Sequence, residues 1–409
     1  MRKLLLFVLS AALFGQAALA QEAKKPADTA WLAQSVPLET VYGSTETLRP
    51  QKVWVDMINS AKDTLEMGEF YFESKDGEAL EPVLNAIRAA AKRGVTVRII
   101  ADGAFYKKDP DTVNSLRPVK NITIRIIPFE KLHGGVMHAK YFIVDGKSLY
   151  VGSQNMDWRS LIHIHEVGMR IENPRMARAF RRIFYMDWKD CAFTPEHAPV
   201  KIEDDAALTP SATETLVIGG EPVSAYAAFD PSGTLPGKDL NEIDELVRLI
   251  DSAKSSIHAQ VMTYSLVRKG GDKWRQLDDA LRRAALRGVL VKLVFADWSM
   301  GKKNADDIRA LARTANIEVR ISTIPEYSKG HIDYARVEHC KYMVVDGIDS
   351  VVSTSNWEYD YFYSSRDAAI IMHGAKSAGI LEGIFNTSWN GPYVKPVSQI
   401  PEPQTTIQK

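Results

Sequence analysis

His138-Ala139-Lys140-Tyr141-Phe142-Ile143-Val144-Asp145 is written twice, the second time as His339-Cys340-Lys341-Tyr342-Met343-Val344-Val345-Asp346. Both runs are rich in β-branched and aromatic residues, the composition of a strand. Side chains two apart on a strand share a face, so each His and its Lys point the same way. The Asp stands at the opposite parity and is followed by Gly (Asp145-Gly146, Asp346-Gly347), which marks a turn. Outward from the motif at the same offset, Asn155 matches Asn356, Glu166 matches Asp367, Phe184 matches Phe385 and Trp188 matches Trp389. Upstream, Ser60-Ala61-Lys62 recurs as Ser252-Ala253-Lys254, and Arg93-Gly94-Val95 as Arg287-Gly288-Val289. Agreement across so many residue types marks an internal duplication. The chain is two copies of one domain.

Within a copy the order reads helix, strand, helix, strand, hairpin, strand, helix, near 50–61, 64–72, 78–93, 95–101, 137–155, 165–171 and 174–188 in the first. The last helix opens on a capping Asn173 with Pro174 at its first position, and Ala177, Phe180, Ile183 and Phe184 form an apolar stripe. Arg175, Arg178, Arg181 and Arg182 beside that stripe read as a solvated face. Helix–strand alternation predicts an α/β fold of two homologous α/β/α sandwich domains, each with a mixed sheet, and the active site at their interface. Expected boundaries are a signal peptide over 1–20, an N-terminal linker over 21–37, a first domain over 38–195, an inter-domain connection over 196–240, a second domain over 241–393 and a mobile Pro-rich tail over 394–409. The connection is rich in Pro, Gly and acidic residues, with one strand expected near 216–218.

A length of 409 residues suffices for two such domains, each with its own core. With 51 basic and 51 acidic side chains the chain does not coat nucleic acid or anionic membrane by bulk charge, which leaves room for a local basic pocket. Arg2 and Lys3, an apolar run from Leu4 to Phe14, and Ala18-Leu19-Ala20 have the order of a cleaved secretory signal, so a secreted or periplasmic protein is expected. An uncleaved membrane anchor is the rival reading. Export permits a bridge between Cys191 and Cys340, but nothing in their spacing requires one, and two buried free thiols is the plainer expectation.

The paired motifs suit anionic oxygen chemistry. A neutral His can attack phosphorus while a protonated one gives its proton to the departing oxygen. His138 and His339 fill those two roles, and Lys140 and Lys341 hold the non-bridging oxygens where charge grows. The returning strand adds Ser153 and Asn155 in one copy, Thr354 and Asn356 in the other. One strand further, Glu166 and Asp367 supply carboxylates able to accept an imidazole Nδ1–H, which fixes the tautomer. Asp145 and Asp346, off the His face and beside a turn, are expected to stabilise the fold. A single such motif is commonly a satisfied core histidine; two equally equipped ones point to a catalytic centre.

The flanks add Gly152-Ser153-Gln154-Asn155-Met156-Asp157-Trp158-Arg159-Ser160, Tyr334-Ala335-Arg336-Val337-Glu338-His339, Thr354-Ser355-Asn356-Trp357 with Tyr361-Phe362, and Trp389-Asn390-Gly391-Pro392-Tyr393. From about residue 38 to 393 the chain resembles the phospholipase D superfamily, and these stretches are similar to its animal lysosomal branch. The resemblance implies two phospholipase D-like domains working without metal or other cofactor through a phosphohistidine, with His138 as nucleophile and His339 as general acid. That branch is described as five-prime exonucleases on single-stranded DNA and RNA, with lipid transphosphatidylation also attributed to it. The animal proteins carry a membrane-anchoring N-terminus and several cysteines, where this chain has a signal-like start and two cysteines.

The expected partner is therefore a phosphodiester substrate, single-stranded nucleic acid first and a phospholipid head group second. No obligate protein partner is implied, and a homodimer is left open. A non-catalytic relative is a third reading, whose mark would be loss of a motif His or Lys; all four are present. His133, Trp158, Trp357 and Tyr361 are candidate substrate contacts. His133, just before the first motif, reads as a cleft residue or equally an ordinary loop His. The Tyr359, Tyr361, Phe362, Tyr363 and Trp158 cluster suits base stacking or acyl chains on one hand and simple core packing on the other. His163 and His165 lack a third ligand at useful spacing and read as a surface pair sooner than a metal pair.

Overall fold

Strand Thr96–Asp102 is covered on both faces, with Val97 and Ile99 turned to one apolar layer and Ile100 to another. The same alternation runs through Tyr141–Val144. Phe142 and Val144 meet helices Pro50–Ser60 and Glu81–Lys92, while Tyr141 and Ile143 join the layer of helix Pro174–Asp190. Near-continuous apolar strands of this kind require helices on both sides, and that dictates an α/β/α sandwich. Asn173 caps the last helix of the first copy, its Oδ1 accepting the Met176 N–H at 2.7 Å. The computed structural model describes residues 28–191, 208–235, 240–301 and 303–402. The signal peptide expected over 1–20 lies outside these residues. Among them, no helix is long and apolar enough to cross a membrane.

One mixed sheet of sixteen strands runs through both domains. From its outer edge inward the first domain contributes Ile122–Ile127, Thr96–Asp102, Thr64–Glu69, Tyr141–Val144, Ser148–Gly152 and Glu166–Glu172. The second repeats that order with Ile317–Ser322, Leu290–Ala296, Ser256–Val261, Lys341–Val345, Asp349–Ser353 and Asp367–His373, and adds Val394–Pro396 at its edge. Thr29–Ser35, Glu214–Ile218 and Glu221–Asp230 lie between the halves and join them. Two separate sheets were expected; the duplicated domains instead share one.

The joining strands correct the sequence reading. Thr29–Ser35, in the expected linker, pairs along its whole length with Glu166–Glu172 and buries Ala30, Leu32 and Ala33. The expected connection contributes two strands, not one. Val394–Pro396, in the expected mobile tail, pairs with Ile317–Ser322, and Arg309 holds the Ile400 and Pro401 carbonyls. In each case pairing with a sequence-distant strand outweighs a locally polar, Pro-containing composition. The arginines of helix Pro174–Asp190 are also not a solvated face: Arg175 bridges Glu214, Arg181 bridges Glu66, and Arg182 is buried. Cys191 and Cys340 are free and buried.

Candidate active site

Each catalytic segment enters the sheet by pairing first with the other domain. The His138 and Ala139 N–H groups both donate to the Arg366 carbonyl, at 2.9 and 2.7 Å, and the Arg366 N–H returns to the Val136 carbonyl at 2.9 Å. In the other half the His339 N–H donates to the His165 carbonyl at 2.9 Å, and the His165 N–H to the Val337 carbonyl at 3.1 Å. These two crossings place the histidines at the domain interface. Gly152 and Gly168 face each other across neighbouring strands, and a Cβ on Gly152 would stand 2.4 Å from the Gly168 Cα. Only glycine permits that approach, which draws the Ser153 turn onto the strand carrying Glu166.

The supporting carboxylates are exchanged between domains as well. His138 Nδ1 lies 2.8 Å from Asp367 Oδ1, and His339 Nδ1 lies 2.8 Å from Glu166 Oε2. A proton on Nδ1 satisfies each bond and leaves Nε2 as the reacting nitrogen. Burial, and then the Lys140 and Lys341 charges, hold both imidazoles well below their ordinary range. Burial also pushes the Glu166 carboxyl up to about 8 and Asp367 to about 7, with the nearby lysines pulling the other way. Each pair is therefore a buried unit that holds or yields one proton near neutrality, which suits acid–base work at a phosphoryl group. Lys341 is brought down to about 8 by burial, and Lys140 is lowered further. Their ammonium groups donate to the carbonyls of His339, at 2.9 Å, and of His138.

The remaining expected residues divide by role. Asn155 and Asn356 each keep a buried amide position with no partner in the chain, at equivalent places in the two halves. Ser153 and Thr354, expected among the reacting groups, instead hold the carboxylate strands. Thr354 Oγ1 donates to Asp367 Oδ1 at 2.6 Å, and Ser153 Oγ accepts the Val167 N–H at 3.1 Å. Asp145 accepts the Lys62, Asp63 and Thr64 N–H groups; Asp346 accepts those of Lys254, Ser255 and Ser256. Both tie a strand end to the preceding helix.

Of the candidate substrate contacts, Tyr361 stands against His138 with ring centroids 4.6 Å apart. His133 packs on Phe129, and Trp158 and Trp357 are 7% and 3% exposed, so the tryptophans belong to the core. Trp158 three residues after Asn155 and Trp357 directly after Asn356 stand near the site in sequence, but the chain turns them inward. Phe362 is likewise buried, while Tyr359 and Tyr363 stack on each other at 4.6 Å. His163 and His165 are buried and not a surface pair: His163 packs between Trp158 and Tyr327, and His165 bonds Glu338 Oε2 and Gln34 at 2.8 and 2.9 Å. His165, Glu338 and Cys340 present ligand-type atoms within 4.8 Å of one another, but each is hydrogen-bonded inside the chain and together they form a domain joint.

Several site residues escaped the sequence reading. Phe70 lies edge-on to His138 at 5.0 Å and contacts Phe105 at 3.9 Å, and Tyr71 stacks on Phe105 at 5.6 Å. The Tyr71 hydroxyl accepts from Asn155 at 3.2 Å and donates to Asp157 at 2.9 Å. Glu69 is buried at the end of the same strand. Their one sequence signal was position, at the carboxyl end of a strand in a parallel pair, where ligands of α/β sheets bind.

Residues 54–188 and 246–389 each match the family described as cardiolipin synthase, PLD-like domain. The chain belongs to the phospholipase D superfamily. Phospholipase D Z of Dictyostelium discoideum is 31% identical to it over 386 residues, covering 90% of each chain. The 5'-3' exonuclease PLD3 of Xenopus laevis is 28% identical over 402 residues, covering 88% of this chain and 80% of its own. Phosphatidylserine synthase of Haemophilus influenzae shares the fold, with a TM-score of 0.57 at 13% identity over 86% of this chain and 87% of its own. This superfamily member is a hydrolase of phosphodiester bonds. Its geometry brings together two imidazoles held at Nδ1 by buried carboxyls and two buried lysines.

Proposed function

We propose that the enzyme removes nucleotides from a free end of single-stranded nucleic acid, with His138 attacking phosphorus and His339 protonating the departing oxygen. The observation that carries the substrate is the aromatic approach to His138. Phe70, Tyr71, Phe105 and Tyr361 stand together there, partly buried, with the Lys108 ammonium 4.4 Å above the Phe105 ring. Stacked rings beside a cation suit unpaired bases and their phosphates, and each stacked base contributes about 1–3 kcal/mol. Both imidazoles are less than a tenth exposed, at 3% and 8%, so the scissile phosphate must be threaded down to them. An extended single strand can do that, and a duplex cannot without unpairing. The similarity to PLD3, a 5'-3' exonuclease, supports the same reading, and that to phospholipase D Z marks the lipid alternative. Export through the signal-like first twenty residues completes the proposal.

The deciding assay offers a five-prime-labelled oligonucleotide, single-stranded or annealed, beside phospholipid vesicles, with chelator present. Ordered release of mononucleotides from the single strand is expected, with slower loss of the duplex. Equal cutting of both, or head-group release from vesicles without nucleolysis, overturns the nucleic-acid reading. Phe70→Ala and Phe105→Ala are expected to raise KM for oligonucleotide several-fold. N-terminal sequencing of the secreted protein tests the export step.

A further inference from the structure

The two halves of the phosphoryl site are not electrically equal. Strand Ser256–Val261 places Val261 directly across from Lys341. In the first half, strand Thr64–Glu69 pairs with the equivalent strand in the same sense, Gly68 opposite Tyr141, so the next position sets Glu69 opposite Lys140. Directly opposed residues on antiparallel strands extend side chains to the same face. A carboxyl therefore stands beside one catalytic lysine where a methyl-bearing side chain stands beside the other. Glu69 is 1% exposed, and its Oε2 has no hydrogen-bond partner in the chain. Burial drives its carboxyl well above the ordinary range, the Lys140 charge opposes that rise, and Glu69 in turn acts on Lys140. Wherever the shared proton resides, the Glu69–Lys140 pair is neutral in total, and the Lys341 ammonium faces no such partner across its strand pair.

We propose that Glu69 is a specificity-determining residue that sets the site's charge to a phosphodiester and against a phosphomonoester. Whatever protons the His138–Asp367 and His339–Glu166 pairs hold, the Glu69 carboxyl lowers by one unit the charge that Lys140 adds to the site. One unit of site charge weighs more on a ligand of higher negative charge than on a diester, which carries a single one. A phosphomonoester, the product of hydrolysis, carries about −1.5 to −2 near neutrality and would be held too tightly by two uncompensated ammonium groups. A carboxyl beside Lys140 thus weakens product binding more than substrate binding and speeds release.

The test uses bis(4-nitrophenyl) phosphate as a diester substrate and inorganic phosphate and 4-nitrophenyl phosphate as inhibitors. Glu69→Gln is expected to lower both inhibition constants by about tenfold or more, as removal of one nearby charge in a site of intermediate dielectric implies. KM for the diester is expected to fall by a smaller factor, and Glu69→Asp, which restores the charge, to return the inhibition constants toward those of the parent. Glu69→Val, which installs the residue found opposite Lys341, gives the same reading if the Gln variant is poorly folded. Inhibition constants within twofold of the parent in a folded Glu69→Gln or Glu69→Val protein, or an equal fall in KM and inhibition constants, overturn the proposal.

Discussion

The half of the site around His138 and the half around His339 began as the same sequence and now differ at each joint that supports them. His138 is tied to Arg366, whose guanidinium is buried against Asp187 at 2.8 Å and also bonds the Asp230 carbonyl. His339 is tied to His165, whose ring bonds Glu338 and Gln34 and stacks on Tyr42 at 4.1 Å. One joint rests on a guanidinium paired with a buried carboxylate, the other on an imidazole ring held by a carboxylate, an amide and a stacked phenol ring. Nearer the histidines the halves agree in a His, a Lys, an Asn and a carboxylate borrowed from the other domain, and differ in Glu69 beside Lys140 where Val261 stands across from Lys341. The contrast separates what the chemistry demands from what merely holds it in place.

The sharpest way to break that equivalence is to remove one imidazole at a time. His138→Asn and His339→Asn are each expected to lower kcat by about 10⁴-fold or more to a common floor, because members of one catalytic unit do not act additively. Single-turnover assays check this, and a half-site retaining more than a few per cent activity would make the halves independent. The joints are expected to respond unequally. Asp187→Asn strands a buried guanidinium and should cost about 3–5 kcal/mol of stability. Glu338→Gln keeps an oxygen able to accept from the His165 ring and should cost about 1–3 kcal/mol. Urea unfolding of the two variants measures the difference, and equal losses would erase the distinction between the joints.

The lysines come next. Lys341→Met and Lys140→Met are each expected to lower kcat by about 10²–10³-fold, the cost of losing a donor to transition-state charge. The larger loss should fall on Lys341, which has no opposing carboxyl; rates at saturating substrate and equal folded fraction decide. The smallest effect belongs to the turn carboxylates. Burial opposes ionisation of Asp346, but N–H groups of Ser256, Lys254 and Ser255 and the Ser255 hydroxyl prevail and hold its carboxyl below the usual range. A lowered carboxyl stabilises the fold above its unfolded-state value and loses that contribution as pH falls through the folded one. Asp346→Asn should therefore lower the Tm at pH 7 by an amount equivalent to about 1–2 kcal/mol, with unchanged kcat in the folded fraction. The gap from the parent should close below about pH 4. A dead enzyme with an unchanged Tm would instead put Asp346 in the reacting site.

What the sequence determined by itself was the duplication, the α/β class and the candidate set of His138, Lys140, His339 and Lys341 with Asn155 and Asn356. Those follow from local periodicity and from matching one copy against the other, which needs no knowledge of how the copies meet. The presence of Glu166 and Asp367 was legible for the same reason, but their exchange between domains was not. Which His a carboxylate serves depends on the crossing of residues 136–139 with Arg366 and of residues 337–339 with His165. Tertiary structure also decided that Thr29–Ser35 and the two strands before the second domain fuse the sheets, that Trp158 and Trp357 are core, and that Phe70 and Glu69 are at the site. These are outcomes of pairing between strands remote in sequence. Burial and strand pairing are set by the partner as much as by the residue, and no local pattern carries the identity of the partner.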